Sequence, residues 1–198
     1  MNKFTMKTLR GKEIEPYIMD LAALRIQVFR DYPYLYEGEY EYEKKYLQAY
    51  LDCDNSTLII VLDDNKIVGA STAIPLKNEI DKIQEPFIQN GYNVNDIFYF
   101  GESVLLKNYR GQKIGEHFFN EREKAARKLK HKIVAFCGVI RSPDDPRRPA
   151  DWFPLDAFWQ RMGFTKHPEL TLSFSWKEIG EEKESPKPMV FWLKNLKD

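Results

Sequence analysis

The chain has 198 residues, 43% of them hydrophobic and 14% aromatic, enough to bury one sizeable core, and residues 1–198 read as a single domain with insertions. Thirty basic residues balance thirty acidic ones, so no global field draws the protein to nucleic acid or to an anionic membrane, and neither is expected as a partner. Cys53 and Cys137 lack metal-ligand or CxxC spacing, "MNKFTMKTLRGKEI" lacks the apolar core of a secretion signal, and no run of about 18 apolar residues could span a bilayer; a cytoplasmic protein without a metal is the expectation.

In chain order, "KFTMKTLR" alternates as a first strand. Helices are expected in "IEPYIMDLAALRIQVFRD", where Ile18, Leu21, Leu24, Ile26 and Phe29 stand near helical spacing, and in "EYEYEKKYLQAYL", where Tyr42, Tyr46, Tyr50 and Leu51 share a face. Two β-branched runs, about 56–63 and 66–74, flank the polar turn Asp63-Asp64-Asn65-Lys66 and predict a hairpin. Residues 76–93 are a polar, partly helical excursion, after which "DIFYFGESVLL" resumes β character. A turn at 107–112 leads into a helix from about 112, with Ile114, Phe118, Ala125 and Leu129 as its stripe, and "KIVAFCGVI" follows as a buried strand. Four prolines in "SPDDPRRPADWFP" force an extended loop; "LDAFWQRMGF" is a short helix closed by Gly163; "LTLSFSW" and "PMVFWLKNL" are strands flanking the charged turn "GEEKESPK". The order predicts one mixed α/β sheet.

Chemistry concentrates first in "KNYRGQKIGEHFF". A strand that feeds a helix across a tight turn points free N–H groups and the positive end of the helix dipole at one spot, which suits phosphate. Gly111 and Gly115 permit close backbone approach, and from Lys107 to Lys132 nine basic residues stand against Glu116, Glu121 and Glu123. The later charges, Arg122 to Lys132, read as the solvated face of a helix, whereas Arg110 to Gly115 reads as a diphosphate site.

These residues resemble the signature of the GNAT family of N-acetyltransferases: Arg or Gln, two residues, Gly, one residue, then Gly or Ala. Here it is Arg110-Gly111-Gln112-Lys113-Ile114-Gly115, preceded by Tyr109 as in the commonest form and departing from it at Lys113. A second family hallmark, a short aromatic helix ending in Gly-Phe, is similar to Phe158-Trp159-Gln160-Arg161-Met162-Gly163-Phe164, and the element order agrees along nearly the whole chain. The resemblance implies a mixed, mostly antiparallel sheet, splayed at an acetyl-CoA site and flanked by helices. It implies acetyl-CoA as cosubstrate and an amine of a small molecule or peptide as acceptor, attacking directly, and leaves a homodimer open. Arg110, Gly111, Gln112, Lys113, Ile114 and Gly115 would hold the pyrophosphate. Ser103, Val104 and Leu105 would pair with the pantetheine amides, one N–H polarising the thioester carbonyl. A lysine at a helical φ would present its N–H to the pyrophosphate and its ammonium to a phosphate oxygen; the alternative is that its bulk crowds the turn.

Direct attack needs an uncharged amine. Glu102, with Phe98 and Phe100 beside it, is the candidate general base, the alternative being a surface or substrate-anchoring residue. Many family members use a tyrosine as acid where this chain has Trp159, whose indole N–H donates a hydrogen bond but supplies no usable proton. Cys137 reads as a core residue in preference to an acyl-enzyme nucleophile. Phe29, Tyr32, Tyr34, Tyr36, Tyr40, Tyr42 and Tyr46 crowd a segment in which seven acids from Asp31 to Asp54 face only Lys44 and Lys45. That is either an acidic, aromatic mouth for a cationic amine or a solvated helix face. Tyr34 and Tyr36 are the acceptor-site candidates here, with Arg141 and Trp152 on the opposite wall. A second class stays open, a CoA-binding regulatory or interaction module with lapsed catalysis, suggested by Lys113 and Trp159. A P-loop is disfavoured because GxxxxGK[ST] is absent.

Overall fold

The computed structural model describes residues 4–197. Its strands are β1 (Thr5–Leu9), β2 (Thr57–Asp63), β3 (Lys66–Pro75), β4 (Ile97–Leu105), β5 (Ile133–Val139), β6 (Thr165–Trp176) and β7 (Ser185–Asn195). They form one sheet in the order β1-β2-β3-β4-β5-β7-β6, antiparallel at every junction except β4–β5. The helices are α1 (Ile18–Phe29), α2 (Tyr40–Leu51), α3 (Asp81–Gln89), α4 (Ile114–Lys128) and α5 (Asp156–Arg161). Leu21, Ala22 and Leu47 of α1 and α2 and Phe87 of α3 pack on one face with Leu58, Ile60, Tyr99 and Phe191. Phe119 and Ala126 of α4 pack on the other with Phe98, Phe100, Val134 and Trp192.

The local chemistry explains most of these elements. Asp64 and Asn65 sit at φ 45° and 67°, the paired left-handed conformation of a tight hairpin turn, and Gly163 at φ 89° closes α5 as expected. Four expectations need correction. Seven residues, Gly11–Tyr17, wind as a 3-10 turn around Pro16, so α1 starts only at Ile18. The inward face of α2 is Glu43, Leu47 and Tyr50, with Tyr42 exposed, because Glu43 finds a cationic partner inside. The helix expected from about 112 begins at Ile114. Arg122, placed on a solvated face, is 2% exposed: it lies four residues after Phe118, on the apolar stripe itself.

Two irregularities of β4 build the site. Its pairing with β5 covers only Ile97–Tyr99 against Ile133–Ala135; beyond that the strands part, and β5 continues along β7 through Val139. On its other side, Ala73 faces Phe100 but Ser71 faces Ser103, so Gly101 and Glu102 bulge opposite Thr72. The bulge reverses side-chain parity. Phe98 and Phe100 point toward α4, while Glu102 and Val104 point toward α1 and α2. Gly101 is needed there, since a Cβ would lie 2.1 Å from the Tyr50 hydroxyl and 2.5 Å from Thr72 Oγ1.

Candidate active site

Where β4 leaves β5, one edge of its backbone is open. Leu106 N–H bonds to Val68 O, and the antiparallel alternation therefore turns Val104 toward β3 and the N–H and C=O groups of Ser103 and Leu105 toward the open edge. The edge runs into the turn before α4. Among the described residues, none of the N–H groups from Gly111 to Glu116 has a hydrogen-bond acceptor. Gly111 stands at φ 77° with nothing within 4 Å of a notional Cβ, and Gly115 faces Phe158 of α5, 3.5 Å from its own. Arg110 Nε donates to Leu105 O at 3.2 Å, Gln112 lies exposed, Ile114 is buried, and the Tyr109 hydroxyl donates to Asp63 Oδ2 at 2.5 Å, pinning the turn to the β2–β3 hairpin. An open edge followed by free donors and a bare backbone fits an extended amide chain ending in a diphosphate.

Lys113 departs from its expected geometry. It caps α4 at φ 61°, ψ 10°, a left-handed conformation and not a helical one. That region favours glycine, and a lysine there carries a cost of about 1–2 kcal/mol.

Behind the bulge Arg122 donates through Nη2 to Ser103 Oγ at 2.9 Å and lies over the Phe100 ring at 4.2 Å. No carboxylate reaches ion-pair distance of it among the described residues, so a buried positive charge stands beside the open edge.

On the opposite face, Arg25 of α1 bridges Glu43 of α2 and Glu102 of β4, with Nη1 2.6 Å from Glu102 Oε2. The Tyr46 hydroxyl donates to the same oxygen at 3.1 Å, its ring lying 4.2 Å from the guanidinium. Tyr46 and Tyr50 hydroxyls are 3.3 Å apart, and Tyr50 donates to Glu79 Oε1 at 3.1 Å. Burial pushes the Glu79 carboxyl up to about 7, the bonds from Tyr50 and Ile80 N–H opposing. Glu102 therefore lies among an arginine and tyrosines, not beside Phe98 and Phe100, and at 6% exposure it is no surface residue. Its Oε1, buried, has no partner among the described residues.

The segment between α1 and α2 closes this side. Tyr34 packs on Phe29 with centroids 4.6 Å apart, and burial, then nearby Cys137, pushes its hydroxyl well up, Arg25 opposing. Tyr36 turns toward Glu43, which raises it further after burial. Arg141 does not project freely: Nε donates to Pro33 O at 2.6 Å, and Nη2 to Tyr34 O at 3.1 Å and Glu178 Oε1 at 2.5 Å. Arg147 of the proline loop takes the other Glu178 oxygen at 2.5 Å, and Trp176 Nε1 donates to Tyr34 O at 3.0 Å. A cleft of about 250 Å³ between this segment and the proline loop is lined by Tyr32, Arg141, Arg148, Trp152 and Trp159, with Trp152 edge-on to Tyr32 at 4.9 Å. The mouth is less acidic than its composition, since Asp31 pairs with Lys107, Glu37 with Lys177 and Glu43 with Arg25.

Trp159 packs between Phe136 and Trp192, over Gly138, where a Cβ would meet its ring at 3.1 Å. Cys137 Sγ lies 3.1 Å from the Tyr99 hydroxyl, and burial pushes the thiol up to about 12, so it holds its proton and is a poor nucleophile. Sequence reasoning missed Arg25, Tyr50, Glu79, Arg122 and Glu178. For Arg25 one signal existed, its position four residues after Leu21 on the inward stripe of α1.

Residues 23–164 match the acetyltransferase (GNAT) family. No curated protein matches the chain in sequence. Among solved structures, a ribosomal-protein-alanine N-acetyltransferase of Brucella melitensis aligns with TM-score 0.62 at 14% identity, over 97% of this chain and 99% of its own. A Salmonella typhimurium protein assigned as an acetyltransferase, solved with its cofactor acetyl-CoA, gives 0.61 at 7% identity over 100% and 96%. An N-acetyltransferase of Staphylococcus aureus gives 0.60 at 10% over 98% and 99%. At such identities the likeness is one of fold.

Proposed function

Because this chain belongs to the GNAT family of acetyltransferases, we propose that it moves the acetyl group of acetyl-CoA onto an amine of a small molecule or peptide by direct attack. The observation that carries this reading is the short β4–β5 pairing, which leaves a free strand edge running into the unpaired N–H groups of the α4 turn. Ser103 and Leu105 would hold the pantetheine amides, one of their N–H groups facing the thioester oxygen as charge builds there. Arg110, Gly111, Gln112, Lys113, Ile114 and Gly115 would hold the diphosphate through backbone donors, with Arg122 adding positive charge behind Ser103.

The acceptor would approach from the α1–α2 side, past Tyr34 and Tyr36. Glu102 has one oxygen occupied by Arg25 and Tyr46 and one unpartnered, and the second, buried without an acceptor in place, would take an amine proton once the bound acceptor displaces the side chains that cover it. The locked geometry of Arg141 favours holding Tyr34 in place over contacting the acceptor, and Trp152 lines the outer cleft. With Trp159 packed as it is and no acid in its place, the thiol would leave as thiolate or take a proton from water.

Acetyl-CoA at about a hundred times its Kd should stabilise the protein by roughly 2.7 kcal/mol, visible as a raised thermal midpoint. Thiol release should then follow with one member of a panel of polyamines, amino acids, aminoglycosides and peptides. No midpoint shift at millimolar acetyl-CoA would end the cosubstrate reading. A shift without turnover on a broad panel would favour a binding module.

A further inference from the structure

Four side chains form one hydrogen-bonded line beneath the acceptor wall: Glu102, Tyr46, Tyr50 and Glu79. The three oxygen–oxygen gaps are 3.1, 3.3 and 3.1 Å. The two hydroxyls own two protons between them. With both carboxylates ionised each hydroxyl can donate to its own carboxylate, Tyr46 to Glu102 and Tyr50 to Glu79, or one of them can donate across the gap between the hydroxyls instead, so two protons serve three gaps. The line therefore has room for one further proton, which would fill the last gap and align all three bonds in one direction. Its ends differ. Arg25 stabilises negative charge on Glu102 at 2.6 Å, whereas no cation reaches ion-pair distance of Glu79 among the described residues, and Glu79 is 7% exposed.

We propose that this line is a single-proton relay, which takes a proton from the acceptor ammonium at Glu102 and stores it on Glu79. The inference rests on the acetyl-transfer reading above. In the step, an N–H bond of the ammonium breaks toward Glu102 Oε1, the carboxyl turns so that this oxygen meets Tyr46 in place of Oε2, and protons shift from Glu102 to Tyr46, Tyr46 to Tyr50 and Tyr50 to Glu79, leaving a neutral amine and a neutral Glu79. No electrons leave the system, and each oxygen between the ends gives one proton and gains one. Glu79 is thus a positioning residue that acts through Glu102 without touching substrate.

The surroundings suit storage. Glu79 faces Tyr50 of α2, Arg25 of α1, Glu102 and Tyr99 of β4, and Cys137 of β5. Burial holds Tyr46, Tyr50 and Tyr99 well above the usual tyrosine range, and Cys137 up to about 12, so these groups stay neutral. The Glu79 carboxyl, pushed up to about 7, changes charge near neutrality. Below that pH it already holds its proton and accepts no other; above it the store is empty. The rate should therefore rise with pH through about 7.

Carbon-13 labelling of glutamate carboxyls in the full chain, followed by NMR without substrate, should reveal one resonance titrating near pH 7. It should vanish in Glu79→Gln, and its midpoint should rise in Tyr50→Phe, which removes a donor to the ionised form. With an amine identified by the panel, both variants should lose the acid limb of kcat/KM and about tenfold or more in rate at neutral pH, while acetyl-CoA affinity holds. The double variant should be no worse than either single one. Losses that multiply, an acid limb that persists in both variants, or no carboxyl titrating between about pH 6 and 8 would overturn the relay. If Glu79→Gln does not fold, Tyr50→Phe carries the same comparisons. Wild-type protein inactive on every amine would sink the acetyl-transfer reading alone, with the NMR titration still deciding whether the line holds one proton.

Discussion

The turn before α4 and the network between α1, α2 and β4 stand on opposite faces of one strand and are built on opposite principles. The turn is exposed backbone, its donors free and two of its residues, Gly111 and Lys113, at positive φ. The network is buried side chain, with Arg25, Glu43 and Glu102 drawn from three elements into mutual contact. A diphosphate is the same on every cofactor molecule, so a contiguous run of backbone serves it. An acceptor is particular to each enzyme, and its site is assembled from residues far apart in the chain. The turn should therefore tolerate substitution in the free protein and fail only with ligand, whereas the network should fail in the fold itself.

The largest expected effect tests the second half of that contrast. Arg25→Met leaves Glu43 and Glu102 buried without their shared cation, and breaking such a pair costs about 3–5 kcal/mol. Urea unfolding at neutral pH should register that loss. A loss under about 1 kcal/mol would mean that water or rearrangement replaces the guanidinium and that the network is not structural.

Gly101→Ala asks the same question of the bulge. An added methyl must displace the buried Tyr50 hydroxyl, at 2.1 Å, and Thr72 Oγ1, at 2.5 Å. Overpacking of this kind costs about 1–3 kcal/mol. The thermal midpoint should fall while the acetyl-CoA-induced rise in midpoint persists, because the Ser103 edge and the α4 turn lie beyond the bulge. If the rise also disappears, the bulge sets the open edge as well as the direction of Glu102, and the two faces are not independent.

The contrast also separates what was legible in the sequence. The element order, the hairpin and the turn could be read because each depends on neighbours in the chain: Asp64-Asn65 specifies its own turn, and Arg110 to Gly115 is contiguous. The polarity of β4 could not. Alternation from Phe98 and Phe100 puts Glu102 on the α4 face, and only the bulge at Gly101, a property of two paired strands, puts it on the other. Arg141 and Arg147 read as loop charges because their partner, Glu178, lies beyond β6 and becomes visible only when the proline loop folds onto it. The conformation of Lys113 is illegible for another reason. A motif gives residue types, and the backbone angle that made glycine common at that place has to be inferred from the glycine.

Lys113→Gly has the smallest expected effect and tests the turn most finely. At φ 61° a lysine carries about 1–2 kcal/mol of left-handed cost that glycine does not. Against this, glycine loses about 0.5–1 kcal/mol more conformational freedom on folding. The balance is a stabilisation between about 0 and 1.5 kcal/mol, or a few degrees at most in the thermal midpoint. The N–H is free in either case, so the backbone contribution to a diphosphate is unchanged, and the effect on binding falls to the side chain. The ammonium is exposed at the positive end of α4, where its attraction for a phosphate is screened by salt. Titration of acetyl-CoA at low and high salt separates the two contributions. Equal or tighter binding by the glycine variant at both salts makes Lys113 a strained cap that the turn tolerates. Weaker binding at low salt that recovers to the wild-type value at high salt makes it a phosphate contact, and the turn is then more than backbone.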